Sequence, residues 1–101
     1  MMDSRQSIIR MIRQLLQDMQ IIQHQGSGYY TCTPFAQRYN KLLKQARALF
    51  PGAHDLMSTF EDIPESDPKD PSDKMKVLQT IRIESGQLIT LLESMTEEKT
   101  A

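Results

Sequence analysis

Apolar residues recur along three stretches of this chain at alternating spacings of four and three, the spacing of a helix that buries one face. Ile8, Ile12, Leu15, Met19 and Ile22 form the first such seam, flanked by Ile9 and Leu16, and predict a helix over about 4–25. Phe35, Tyr39, Leu42, Ala46 and Leu49 form the second, broadened by Leu43 and Phe50, and predict a helix over about 34–50. Leu78, Ile81, Ser85, Leu88, Leu92 and Met95 form the third and predict a helix over about 71–96. Leu56, Met57 and Phe60 have the spacing of a short helical piece over about 53–60.

The punctuation between these stretches agrees with the seams. Asp3 or Ser4 can cap the first helix by accepting a backbone N–H. Gly26-Ser27-Gly28 ends it, because glycine adopts the left-handed conformation common just past a helix C-terminus. Tyr29 to Cys32 reads as an extended connector. Thr33 is the expected cap of the second helix, with Pro34 in the first helical position and Pro51-Gly52 as its stop. Asp70-Pro71-Ser72-Asp73 is a strong start for the last helix: an Asp cap, a proline whose missing N–H costs nothing there, and a second carboxylate near the positive helix end. The acidic, proline-containing stretch 61–70 cannot hold a helix, since each proline disfavours helical geometry in the residue before it. It is expected to be a solvated loop, dispensable for folding and the first site of proteolysis.

These elements predict an all-α fold, a small three-helix antiparallel bundle with one short additional helical turn, in a single domain spanning 1–101. With 101 residues and 39% hydrophobic content, such a domain buries only roughly 60–70% of its unfolded surface. The apolar residues Met11, Ile21 and Ile83 lie off the seams. Both observations predict completion by dimerisation: a homodimer, with a further protein partner as the other candidate occupant. Leu42, Leu78, Leu88 and Leu92 sit near the centres of their stripes and are the expected core.

Charge changes the picture only in part. The net charge is −1. Seven cations against Asp3 and Asp18 leave residues 1–54 at +5, while five cations against eleven acids leave residues 55–101 at −6. Arg38, Lys41, Lys44 and Arg47 recur every third residue on the second helix and are the candidate face for an anionic partner. The leading expectation is that this face is solvated or attracted to the acidic half of the molecule; the alternative is a small nucleic-acid-associated or toxin–antitoxin-type regulator that uses it.

Few other residues offer chemistry. His24 and His54 have no helical ligand partner at the next turn, and the prolines of 61–70 break calcium-loop spacing, so no metal site is assigned. The single Cys32 has no recognisable base and reads as a small semi-buried thiol. Arg47 and His54, separated by six residues, resemble the Arg-x(4–6)-His spacing of HEPN-family ribonucleases, which are also helical bundles. The resemblance covers two residues and implies a nuclease. Pro51-Gly52 interrupts the helix between the pair, and Ala48 stands where that family often has a polar residue. No catalytic or cofactor-binding residues are assigned. No apolar run approaches the ~20 residues of a membrane span. Ile8-Ile9 runs directly into Arg10 and Arg13, unlike a secretory leader. The expected setting is therefore cytoplasmic, away from the membrane.

Overall fold

In the computed structural model the described residues are 4–24, 32–66 and 68–95. Four helices follow one another: α1 (Ser4–His24), α2 (Thr33–Leu49), α3 (His54–Met57) and α4 (Pro71–Ser94), with a 3-10 turn at Pro51–Ala53 leading into α3. Among the described residues there is no strand. The helices pack compactly, with α1 against both α2 and α4, and α2 against α4. Residues 25–31, with the glycine stop and most of the tyrosine connector, lie outside the described residues, as does residue 96 at the expected end of α4.

The seams supply the core. Ile8, Ile12, Leu15 and Met19 of α1, Tyr39, Leu42 and Ala46 of α2, and Leu78, Ile81, Leu88 and Leu92 of α4 are all buried. Ser85 keeps its place in the α4 seam, fully buried, with its hydroxyl unpartnered. Met11, Ile21 and Ile83 are exposed, as their off-seam positions require.

Helix starts follow local chemistry at α4 but not at α2. Asp70 has extended backbone, and its carboxylate accepts the Ser72 N–H at 3.1 Å, with Pro71 next in line. At α2 the expected Thr33 cap is replaced. Thr33 is already helical, Cys32 takes the cap position in helical geometry, and no side chain caps the end. The reason is tertiary. Cys32 is fully buried and its thiol donates to the Lys74 carbonyl at 3.5 Å, which docks the start of α2 on the first turn of α4. The Cys32 carbonyl then accepts the Ala36 N–H at 3.0 Å and begins the helical ladder.

Between α2 and α4 the structure differs from expectation in two details. The short helical piece is confined to residues 51–57, and Leu56 faces solvent while Met57 and Phe60 enter the core. The acidic stretch is not a fully solvated loop, because Ile63 is buried at 6% exposure. The Ile63 N–H donates to Asn40 Oδ1 and its carbonyl accepts from Asn40 Nδ2, both at 2.8 Å. One helical partner therefore satisfies the backbone of a buried loop residue, which would otherwise be costly to desolvate.

This docking also moves the buried face of α2. Ala36, Leu43 and Phe50 are buried, whereas the predicted seam ends Phe35 and Leu49 are only half-buried. At 100° per residue, positions 36, 43 and 50 lie on the flank next to Asn40 and Arg47. That is the flank along which residues 60–63 run.

Candidate functional site

The four cations of α2 do not share one environment. The buried centre of the helix lies near Tyr39 and Ala46. Lys41 and Lys44 straddle the opposite, outward direction, and Arg38 and Arg47 stand on the two flanks. Arg38, Lys41 and Lys44 are exposed. Arg47 is half-buried: its guanidinium donates to the Phe60 carbonyl and lies 3.7 Å from the Asp62 carboxylate.

Asn40 and Arg47 are two turns apart, about 10 Å along the helix axis, and the extended stretch from Phe60 to Ile63 covers a similar length. Arg47 holds the Phe60 end of this stretch and Asn40 the Ile63 end, with Glu65 accepting a further hydrogen bond from Asn40 at 2.9 Å. The structure thus assigns Arg47 a positioning contact that its spacing with Arg38, Lys41 and Lys44 did not signal. Asn40 gave no sequence signal, because a lone asparagine on a helix flank has no periodic partner.

Arg47 and His54 line a common cleft of about 460 Å³ with Met57, Ser58, Phe60, Glu61 and Asp62. The cleft brings the two residues of the HEPN-like spacing together, but next to two acids and with Arg47 bound to the loop backbone. A second cleft of about 370 Å³ lies between the loop and α4, lined by residues that include Ile63, Lys76, Thr80 and Glu84. The buried phenol of Tyr39 has no hydrogen-bond partner. Burial first, and then the Glu84 carboxylate, push its pKa well above the ordinary value near 10.

Two further charged contacts join α1 to α4. Arg5 Nη1 donates to the Leu92 carbonyl at 2.8 Å, one of the last-turn carbonyls without a partner inside the helix. Arg13 pairs with Glu93. Among the described residues, no group of three or more His, Cys, Asp or Glu side chains is placed to hold a metal ion, and no helix is long and apolar enough to cross a membrane. Set against protein-family models, curated proteins and solved structures, the chain matches none.

Proposed function

We propose that this protein is a non-enzymatic helical interaction module: one cytoplasmic domain, an antiparallel bundle that self-associates as a homodimer. The observation that carries the reading is the exposure of large apolar side chains after the core is closed, led by Ile83 of α4 at 58%. Scattered apolar exposure is ordinary. Here it recurs at Met11 and Ile21 of α1, Leu56 of α3 and Met75 and Ile83 of α4, in a chain of 101 residues, short for the surface it must bury. The Arg5–Leu92 contact, which joins the start of α1 to the end of α4, supports the antiparallel arrangement.

Light scattering coupled to size exclusion tests the reading. The expected mass is twice 11.6 kDa at tens of micromolar, as a rough working concentration. A mass of 11.6 kDa throughout that range overturns it.

The second reading is a nucleic-acid-associated regulator, favoured by the outward exposure of Arg38, Lys41 and Lys44. It requires a gel shift with generic DNA or RNA whose log affinity falls with log salt, by about 0.9 per phosphate neutralised on duplex DNA. Lys41→Ala with Lys44→Ala then makes the slope shallower. No shift at micromolar protein and low salt removes this reading. Hydrolysis of RNA that is lost in His54→Ala would instead favour the nuclease implied by the Arg47–His54 spacing.

A further inference from the structure

Glu84 of α4 is half-buried, and among the described residues no group pairs with its carboxylate. The positions one turn away on its own helix are Thr80, Ile81, Gln87 and Leu88, none of them charged, so α4 supplies no counterion. Arg47, the cation of α2 on this flank, is committed to the Phe60 carbonyl and to Asp62. A carboxylate that has lost part of its water without gaining a donor is unfavourable.

Glu84 lines the cleft of about 370 Å³ between the loop and α4, a volume within the range of small-molecule sites, roughly 300–1,000 Å³. Both walls are held in place. Asn40 fixes Ile63 by two hydrogen bonds and Arg47 fixes Phe60, while Lys76, Val77, Thr80 and Glu84 fall within about 100° of one another on α4. Ile63, Pro64 and Val77 make the wall apolar, and the Thr80 hydroxyl is committed to the Lys76 carbonyl at 3.0 Å. Tyr39 adds a second unsatisfied group. Its phenol is buried without a partner, and Glu84 and Asp62, both lining the cleft, raise its pKa, which sets the phenol behind the cleft's inner wall.

The chemistry of these groups selects the ligand. Asp62 lies 3.7 Å from Arg47. Lys76, at the other end of the cleft, is eight positions from Glu84, about 12 Å along the axis and too far to pair with it. An ammonium carries three donors and no acceptor. It would meet the Glu84 carboxylate, and the phenol oxygen behind it is a further acceptor. A hydrocarbon chain attached to it would lie on Ile63 and Val77. An anion would instead meet Glu84 and Glu61, and a neutral alcohol would leave the Glu84 charge uncompensated. We infer that the cleft between the loop and α4 binds a small apolar primary amine, with its ammonium on Glu84 and its chain along Ile63 and Val77.

The experiment titrates hexylamine into the full-length protein and follows backbone amide shifts by two-dimensional NMR. Hexanol and hexanoate serve as neutral and anionic probes of the same length. The expected result is a saturating shift centred on Ile63, Val77, Thr80 and Glu84, with hexanol and hexanoate binding at least about tenfold more weakly. Glu84→Gln, checked for folding by circular dichroism, should weaken hexylamine by about tenfold or more, the loss of a hydrogen bond to a charged group. Glu61→Gln, at an exposed position of the cleft rim, should have a smaller effect. The comparison of the three probes on the parent stands whether or not Glu84→Gln folds. Hexylamine that binds no better than hexanol, that shifts acidic surface outside the cleft instead, or that binds a folded Glu84→Gln as tightly as the parent overturns the site.

Discussion

The Asn40 side chain and the Ile63 backbone exchange two hydrogen bonds, each 2.8 Å, across 23 positions of sequence. The carboxamide offers a donor and an acceptor side by side, as a backbone peptide does, and so pairs with the loop much as an adjacent strand would. With Arg47 bound to the Phe60 carbonyl, this contact turns a polar connecting stretch into the lid over one flank of the core.

Asn40→Ala should therefore destabilise the fold by about 1–3 kcal/mol, the cost of leaving buried backbone groups unpaired. Asn40→Asp should be no better at neutral pH, because its carboxylate would face both the Ile63 carbonyl and the Glu65 carboxylate. Urea denaturation gives the energies, and hydrogen exchange at the Ile63 amide locates the effect. An unprotected Ile63 amide in the parent would contradict the pairing.

Leu88 is fully buried at the middle of the α4 seam. Leu88→Ala should cost about 2–5 kcal/mol through lost transfer energy and the cavity left behind. Met11→Ala, at an exposed position of α1, should stay within about 0.5 kcal/mol of the parent. Equal midpoints for the two variants in thermal unfolding would show that the seam does not carry the core.

Tyr39 predicts an alkaline limit. Its phenol titrates higher in the folded protein than its ordinary value near 10, so above that value the unfolded chain has lost a proton that the folded chain retains. Stability is fully present below about pH 10 and declines above it, by at most about 1.4 kcal/mol per pH unit from this one group. Tyr39→Phe should be at least as stable as the parent at neutral pH, since the hydroxyl it removes has no partner, and should lack this increment of the decline. Parallel stability curves for the two proteins between pH 9 and 11 would rule the effect out.

Limited proteolysis should begin after the docked part of the loop. Phe60 and Ile63 are buried, whereas Pro64, Glu65, Ser66 and Lys69 are exposed. First cuts are expected at Glu65 with a glutamate-specific protease and at Lys69 with trypsin. Mass spectrometry of the earliest fragments reads this directly, and a first cut inside α4 would contradict it. Deleting 64–66 should be tolerated, while Ile63→Asp should destabilise the fold.

What the sequence determined by itself was local. Alternating spacings of four and three placed Ile12, Leu42, Leu78, Leu88 and Leu92 in the core, because a helix fixes which residues share a face without reference to anything else. Asp70-Pro71 set the start of α4 for the same reason: a cap acts within one turn. Tertiary structure decided what lies between the helices. The buried face of α2 turned toward Ala36, Leu43 and Phe50, and Arg47 left the outward cations for the loop carbonyl, because residues 60–63 settled along that flank. Cys32 displaced Thr33 as the cap once its thiol reached Lys74 across 42 positions. Contacts of this kind join residues that no period relates, and their free energy exists only after the helices have packed. Nothing in the order of the residues alone could therefore reveal Asn40 as the anchor of Ile63.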